Sequence, residues 1–493
     1  MAATNRRVLM VALDGLEVSI LQRAMASGRL PNLAAFAEGA LRAEVASDGE
    51  RLEGSVWPTF TSGTGPGTHA SYWYMQWLAE ESNFVRADHP AFRYSPWWEA
   101  ALEADRRVVV FDLAYVPTVR RPNMRSYIGW GTQDELIPRT YPKSFGRQIR
   151  AKYGRSKVEM DTLLVDSPDK RLRLARKLRS GTRQRSAMLL DLVAAQDWDL
   201  MVFSFGEFHA GGHYLAIPEQ LSPKVTSEGA FVSTIKPLDD LWPAIVAAAG
   251  DDCDIVLFSV HGMRPRVNYT EALGKIIDVM EGKEAPPPPG PDSLRRVRDL
   301  IPQGLAQMLW LRLPPAFRAK RMAGMMHGFH GTAGARAFSL PNDSSAALRV
   351  NMAGRELHGL TPAADAGPLI NAIWAEASRY VANGGGPAFV DMFRTSEVFP
   401  GPRQHRLPDA ILMTPFDLIQ TSSITRDDGF VIDLAKPVVR NGAHTGRGFC
   451  FYRPAGGATL VEPTFDNLDF APTILERLGV TPPGHLEGKP FLR

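Results

Sequence analysis

The sequence is poor in cysteine and has no long hydrophobic run. Its 493 residues include two cysteines, Cys253 and Cys450, which lie in separate apolar segments. We expect buried thiols, because this usage excludes a disulfide framework and a cysteine metal site. No apolar run reaches the ~20 residues that span a bilayer. The N-terminus lacks the apolar core and cleavage site of a secretory signal, which predicts a cytoplasmic protein.

An excess of charge of one sign is also absent. The formal net charge is +3, so the composition gives no general case for binding nucleic acid. Hydrophobic residues make up 44% and charged residues 22%, as in ordinary globular proteins. This length suits one large α/β domain with insertions or two or three smaller domains. Nothing in the sequence indicates an oligomeric state.

Short apolar strands alternate with helical segments along the chain. This alternation predicts an α/β fold with a doubly wound, mostly parallel sheet. The predicted strands are Val8–Leu13, Ala43–Ala46, Arg107–Leu113, Leu200–Phe205, Asp254–Ser259, Arg336–Leu340, Ala347–Val350, Ala410–Met413 and Val431–Leu434. The predicted helices are Val18–Met25, Leu33–Leu41, Leu163–Val193, Leu238–Ala249, Pro368–Val381 and Ala471–Leu478.

Two stretches break this alternation and are predicted to be insertions that cover the sheet edge. The first lies within residues 70–195 and includes the aromatic-rich segment Tyr72–Trp98. The second, residues 264–335, contains the Pro-rich linker APPPPGP (Ala285–Pro291) and the basic amphipathic segment Leu294–Met326. A cap helix is favoured over membrane-surface binding for that segment. We expect one domain, residues 1–493, with these two caps.

The most informative stretch runs from Val8 to His69. The apolar run VLMVAL ends at Asp14-Gly15, and a buried strand there would place the Asp14 carboxylate at the sheet's carboxyl edge. Further on, GSVWPTFTSGTGPGTH offers hydroxyl groups beside Pro58, which can open a helix whose N–H groups favour an anion. An acid after the first strand and a hydroxyl at a helix start suit metal-assisted phosphoryl transfer.

These motifs resemble the alkaline phosphatase superfamily, in its type I phosphodiesterase / nucleotide pyrophosphatase branch. The resemblance rests on the DG step, on GRLPNLAAFAEGA (Gly28–Ala40) and on WPTFTSGTGPGTH. The C-terminal LDFAPTILERLGVTPPGHLEGKPF (Leu468–Phe491) resembles the closing helix and tail of the same branch. The resemblance implies an alkaline phosphatase-like fold and a phosphohydrolase activity.

The resemblance also implies metal ligands in three later segments. GEFHAGGH supplies Glu207, His209 and His213, where the family reads acid-x-Asp-x-x-Gly-His, so that a histidine stands in place of the aspartate. A histidine is a competent zinc ligand but removes a negative charge. The spacing of four residues between His209 and His213 also occurs by chance on helices, although Gly211-Gly212 between them favours a loop.

The other two segments are SVHGM and RNGAHTGRG. His261 matches the family's Ser-Asp-His-Gly-Met, whereas Val260 replaces its aspartate and cannot bind a metal. His444 resembles the family's last histidine, in a Gly-rich loop. Each histidine alone would more often be structural. Together the motifs imply that these groups and Asp14 converge at the carboxyl edge of the sheet.

The implied cofactors are two divalent metal ions, zinc or alternatively manganese. One set of ligands is His209, His213, His444 and, as an additional ligand, Glu207; the other is Asp14, His261 and the Ser55 oxygen.

The nucleophile is predicted from its spacing in the motif. The family places a Thr or Ser ten residues before the position of Gly63, and this count falls on Glu53, which is not a usual metal-activated nucleophile. Ser55, two residues on, is predicted to be the nucleophile, with Thr59 as the alternative. His69 is predicted to be structural.

The predicted function is metal-dependent hydrolysis of a small phosphorylated substrate, either a phosphodiester or a phosphate monoester. The alternative is a catalytically weakened or non-catalytic binding or regulatory protein on the same scaffold. Val260 and the displaced nucleophile motivate this alternative.

Overall fold

The structure is a computed structural model that describes residues 6–131, 137–158, 165–265, 272–283, 313, 317, 334–382, 385–416, 423–434 and 440–493. The Pro-rich linker and almost all of the basic segment 294–326 lie outside the described residues. The described residues form two compact units. The large unit comprises Met1–Tyr72, Pro90–Arg266 and Val439–Arg493, and the small unit comprises Trp73–His89 and Val267–Val438.

The strands are β1 Arg7–Ala12, β2 Leu41–Ala46, β3 Met75–Leu78, β4 Asn83–Arg86, β5 Val108–Phe111, β6 Met124–Ile128, β7 Arg139–Tyr141, β8 Leu200–Ser204, β9 Gln220–Ser222, β10 Val225–Thr226, β11 Cys253–Ser259, β12 Gly262–Pro265, β13 Ala337–Leu340, β14 Ala346–Val350, β15 Tyr380–Ala382, β16 Asp391–Arg394, β17 Ala410–Met413, β18 Ser423–Arg426, β19 Val431–Asp433, β20 Gly442–Thr445, β21 Arg447–Arg453 and β22 Thr464–Asp466. The helices are α1 Val18–Ala26, α2 Pro31–Glu38, α3 Val56–Ser62, α4 Pro66–His69, α5 Glu99–Glu103, α6 Lys143–Tyr153, α7 Pro168–Ala194, α8 Gly206–Leu215, α9 Ser227–Ala249, α10 Ala272–Met280, α11 Ala363–Ala377, α12 Thr395–Val398 and α13 Phe470–Arg477.

The large unit is organised on a mixed sheet with the order β22-β2-β21-β11-β1-β8-β5-β6-β7. The block from β11 to β6 is parallel throughout, whereas β21 and β7 run antiparallel to their neighbours in that block. The predictions of a doubly wound, mostly parallel sheet and of β1 as a neighbour of β8 and β11 are confirmed.

Alternate residues of β1 enter two different hydrophobic cores. Leu9 and Val11 pack on the face covered by α1, α2, α6, α7, α8 and α9. Val8 and Met10 pack on the opposite face, which α3, α5 and α13 cover. A strand buried on both faces needs apolar residues at every position, which explains the unbroken run in the sequence. None of the described helices has both the length and the apolar character that crossing a bilayer requires.

Some predicted helices end or begin several residues away from the predicted positions, and the one predicted from Leu238 begins at Ser227, at the start of α9. The helix predicted to reach Leu41 ends at Glu38, because the chain turns at Gly39 and Leu41 opens β2. The helix predicted from Pro368 begins at Ala363 and ends at Ala377, and Val381 lies in β15. A proline often marks the start of a helix, but it is also tolerated in the early turns. Pro368 lies within this helix, so taking it as the first residue placed the predicted start too late.

The small unit has its own core. Its antiparallel sheet has the order β13-β14-β17-β16, and β15, β18 and β19 form a second sheet. Helices α10 and α11 supply most of the helical residues of its core. The hairpin β3–β4 brings part of the aromatic-rich segment into this unit, whereas Trp97 and Trp98 are buried in the large unit. The single domain with two caps stays a prediction.

The two thiols are predicted to be unreactive in the folded protein. Cys253 in β11 and Cys450 in β21 are free and buried, and burial raises the pKa of the Cys253 thiol to about 12. Because the thiolate is the reactive form, 5,5′-dithiobis(2-nitrobenzoic acid) should label neither thiol in buffer and both in guanidinium chloride. A thiol that reacts rapidly in the native protein would contradict the buried packing of these strands.

Candidate active site

The candidate site lies at the carboxyl ends of β8, β1 and β11. Asp14 follows β1, α8 begins directly after β8, and His261 follows β11. Because these three parallel strands are neighbours, the residues after them meet at one edge of the sheet. The short pair β12–β20 adds His444 to the same edge, with Met263 as its register partner.

Asp14 lies at the centre of this edge, and three ring nitrogens contact its carboxylate. Its Oδ1 accepts a hydrogen bond from Trp57 Nε1 at 3.0 Å and lies 3.1 Å from His261 Nε2. Its Oδ2 lies 3.2 Å from His209 Nδ1. Burial acts to raise the pKa of Asp14, but the charges and hydrogen bonds of His209 and His261 outweigh it and hold that pKa far below its usual value. The group is therefore an ionised, buried carboxylate.

His209 and His213 lie on one face of α8. Their Nε2 atoms are 2.9 Å apart, and His213 Nδ1 lies 2.8 Å from the carbonyl oxygen of Gly442. A hydrogen bond from Nδ1 to a carbonyl orients an imidazole so that its Nε2 lone pair faces a metal. The expected loop at Gly211-Gly212 is wrong, since these residues are helical.

The two glycines serve close packing of this helix. A Cβ atom on Gly211 would lie 2.4 Å from the ring of Phe231, and one on Gly212 would lie 2.6 Å from Met263. A larger residue at either position would push the helix away from its neighbours. The Gly-Gly pair, which in the sequence indicated a loop, is therefore explained by the tight packing of this helix.

His444 lies in β20, which corrects the prediction of a loop. Its ring centroid is 4.3 Å from that of His261, 4.9 Å from that of His209 and 5.2 Å from that of His213. Within the described part of the chain, neither of its ring nitrogens has a hydrogen-bond partner, although the side chain is buried. A buried imidazole with two unsatisfied nitrogens suits a metal ligand.

The donor set fits a divalent metal ion. The ligand nitrogens of His209, His261 and His444 all lie within 4.8 Å of one another. Burial and neighbouring charges lower the pKa of His213 and His444 well below the usual histidine value, so both stay neutral and keep the lone pair that a metal requires. Imidazole nitrogens with one carboxylate are a typical zinc-binding set.

Glu207 makes its contacts elsewhere. Its carboxylate pairs with Arg185, whose Nε is 3.1 Å from Oε1 and 2.9 Å from Oε2. Arg185 also donates to Asp112 Oδ2 at 2.7 Å, and Asp112 accepts the backbone N–H groups of Trp130 and Gly131. This buried network joins the ends of β5 and β8, and its geometry favours a structural role for Glu207.

The two candidate nucleophiles have local partners. Ser55 is fully buried and its hydroxyl donates to the carbonyl oxygen of Leu52 at 2.6 Å. Thr59 Oγ1 lies 3.0 Å from His69 Nε2, while His69 Nδ1 accepts from the N–H of Ser71. The structural role of His69 stays a prediction. Ser55 as the nucleophile stays a prediction.

Two residues that face the site were not predicted to act there. Trp57 holds Asp14, and Glu53 Oε2 lies 3.8 Å from His444 Nδ1. The sequence did contain a signal for Glu53, because it lies ten residues before Gly63, where the family has its Thr or Ser nucleophile. No sequence signal connects Trp57 with Asp14, because that contact depends on how α3 packs on the sheet.

A doubly wound sheet with histidines and a carboxylate at its carboxyl edge is the architecture of the alkaline phosphatase superfamily. Within it, the chain belongs to the type I phosphodiesterase / nucleotide pyrophosphatase family, whose model matches residues 8–300, more than half of the chain. It is thus a member of a family of phosphate ester hydrolases.

Solved structures with the same fold include a phosphonoacetate hydrolase. That protein, from Sinorhizobium meliloti in complex with phosphonoformate, matches over 97% of this chain and 96% of its own, with a TM-score of 0.56 and 13% identity. Human ectonucleotide pyrophosphatase / phosphodiesterase 5 matches over 97% and 96%, with a TM-score of 0.53 and 11% identity. The murine protein, an inactive threonine-to-alanine variant in complex with AMP, matches over 98% and 97%, with a TM-score of 0.52 and 10% identity. No curated protein matches the sequence.

Replacing Glu207 is predicted to change stability and leave metal binding intact. Arg185→Met leaves two buried carboxylates without their partner and should lower the free energy of unfolding by ~3–5 kcal/mol. Glu207→Gln keeps the pair between Arg185 and Asp112 and should cost ~1–3 kcal/mol. Guanidinium unfolding measures both, and elemental analysis measures bound metal.

The matched control is Glu228→Gln, which alters the surface ion pairs of Glu228 in α9 with Arg23 and Arg29 and should change the free energy of unfolding by less than ~1 kcal/mol. If Glu207→Gln loses metal at unchanged stability, Glu207 is a ligand and the role derived from its contacts is wrong.

Proposed function

We propose that the protein is a metal-dependent phosphohydrolase that cleaves a small phosphodiester or phosphate monoester. One observation carries the proposal: in a member of a phosphate ester hydrolase family, four buried histidines and Asp14 converge at the carboxyl edge of the sheet. Structural neighbours bound to phosphonoformate and AMP are consistent with a small phosphorylated ligand.

The residues that would hold the metal are Asp14, His209, His213, His261 and His444. A bound divalent cation would supply Lewis acidity at the phosphoryl group and stabilise the charge that develops there. Zinc suits this histidine-rich set best, and manganese is the alternative. The side chains are already oriented, because Trp57 fixes Asp14 and the Gly442 carbonyl fixes His213.

A second candidate function is phosphate ester binding without turnover. Val260 is completely buried in the hydrophobic core beneath the site, so this position offers no ligand atom where the family resemblance implies an aspartate. With fewer anionic ligands, the site could bind a phosphorylated ligand and hydrolyse it slowly or not at all.

Hydrolysis of bis-p-nitrophenyl phosphate and p-nitrophenyl phosphate tests the proposal. The protein loaded with zinc or manganese should release p-nitrophenol, chelator treatment should abolish the release, and added metal should restore it. His444→Asn should lower turnover at least ~100-fold, because losing a ligand should cost no less than losing a group that only orients one. His485→Asn, at an exposed histidine, is the matched control.

Turnover that survives complete removal of the metal would contradict metal dependence. No turnover of either ester by the metal-loaded protein would favour the binding function, which equilibrium dialysis with a labelled phosphate ester would then measure.

A further inference from the structure

The small net charge of the chain conceals a strongly basic segment. Residues 143–183 contain 13 basic and four acidic residues and so carry a formal charge of +9, whereas the whole chain carries +3 and the remainder therefore −6. This segment supplies α6 and most of α7, both in the large unit. A local excess of this size creates a positive surface potential that the composition of the whole chain does not show.

Five basic residues form an exposed stripe along α7. They fall within an arc of ~160° around the helix axis, at 3.6 residues per turn. The residues of this basic stripe are Arg173, Arg176, Lys177, Arg179 and Arg183, and all of them are exposed. The opposite side of the helix, with Leu174, Leu178 and Met188, is buried in the hydrophobic core. The stripe is therefore the solvent face of a helix whose apolar face is already used.

Within the described part of the chain, no side chain of the basic stripe has an ion-pair or hydrogen-bond partner. Other basic residues of the same helix do have partners, since Lys170 pairs with Asp166 and Arg171 with Glu219. The charge of the stripe is thus not neutralised by the residues that the structure describes.

The spacing within the stripe costs helix stability. Arg173 and Lys177 are like charges four residues apart, and so are Arg179 and Arg183. Such pairs repel each other on an exposed helix. A partner that brings closely spaced negative charges would relieve this repulsion, so the stripe is complementary to a polyanion.

The basic stripe belongs to the part of α7 that extends from the carboxyl edge of the sheet. Arg185, two residues after the stripe, donates to the carbonyl oxygen of Ser204 at the end of β8, at 2.9 Å. Trp198, just before β8, donates to the carbonyl oxygen of Val193 at 3.3 Å. The helix therefore runs opposite to β8, and the residues before Arg185 lie beyond the strand end. This is the edge that carries the candidate site.

The chemistry of the stripe favours a nucleic acid over a lipid surface. Four of its five residues are arginines, whose planar guanidinium groups match the geometry of phosphate. The ten residues from Arg173 to Arg183 correspond to ~15 Å of helix, over which one strand of a DNA duplex presents about four phosphates. No large apolar side chain is exposed among the described residues of 143–183, so this face lacks the groups that insert into a bilayer.

We propose that the basic stripe of α7 binds nucleic acid through the phosphate backbone, without reading the base sequence. Contacts to phosphate fix the position of a nucleic acid but carry no sequence information. The inference goes beyond the proposed hydrolysis and does not depend on metal binding at the candidate site.

Fluorescence anisotropy of the full-length protein with a short labelled DNA, as a single strand and as a duplex, tests the proposal. Wild type should bind with a dissociation constant of ~1–100 µM at physiological salt, the range of non-specific binding. The variant Arg176→Gln/Arg179→Gln/Arg183→Gln should bind at least ~10-fold more weakly at low salt. Its plot of log affinity against log salt concentration for the duplex should be less steep by ~2–3, because three phosphate contacts are lost.

Two further variants serve as controls. Replacing the same three arginines by lysine keeps the charge and should retain the salt dependence of wild type. The matched control, Arg120→Gln/Lys489→Gln/Arg493→Gln, removes the same charge from exposed positions of the large unit outside the basic segment and should bind as wild type does. The melting temperature of the glutamine variant of α7 should be no lower than that of wild type, because like-charge neighbours are removed.

Wild-type affinity and salt dependence in the glutamine variant of α7, or an equal loss of affinity in the matched control, would overturn the inference. An absence of binding to both DNA probes at low salt would also overturn it. Flotation with vesicles of phosphatidylserine and phosphatidylcholine is the second arm, and binding to vesicles without binding to DNA would assign the stripe to a membrane surface instead. Each of these outcomes leaves ester hydrolysis by the metal-loaded protein unaffected.

Discussion

The in-register parallel pairing of β8, β1 and β11 is the constraint on which the candidate site depends. Ala12 of β1 pairs with Ser204 on one side and with Phe258 on the other, so the three strands end at nearly the same level. Residues just beyond these ends are brought together by backbone hydrogen bonds alone. A shift of one strand by two residues would keep its apolar faces buried but would move its polar residue ~7 Å from the others.

Burial then gives these groups their chemical character. His213 and His444, removed from water, lose their tendency to carry a proton, whereas Asp14 remains ionised because the charges and hydrogen bonds of His209 and His261 outweigh the effect of its burial on its pKa. The result is a pair of neutral imidazoles, His213 and His444, close to an anionic carboxylate. Val260, at the base of the site, belongs to the hydrophobic core, so the ligands are drawn from side chains above the sheet.

The sequence predicted the sheet well, because its central strands are buried on both faces and read as short apolar runs. It predicted local backbone conformation at the site less well. Gly211 and Gly212 indicated a loop but lie in α8, and His444 was expected in a loop but lies in β20. In both cases the glycines permit close packing, and single-sequence patterns do not distinguish that role from conformational freedom.

Side-chain partners were the hardest feature to predict. An acid beside two histidines reads as a ligand, yet Glu207 pairs with Arg185, which lies 22 residues earlier in the sequence. In contrast, the count that fell on Glu53 was set aside because of its residue type, although the position does face His444. Spacing indicated which backbone positions reach the site. It did not reveal which side chains point into it.

The glycine contacts of α8 have a consequence for the thermodynamics of ligand capture. Because Gly211 lies against Phe231 and Gly212 against Met263, the helix has little freedom to slide or rotate. The imidazoles it carries are thus already ordered before any ligand arrives, and little conformational entropy remains to be lost on association. Such a site gains affinity from rigidity, and it also discriminates by size, since a rigid frame cannot contract around a smaller ion or expand around a larger one.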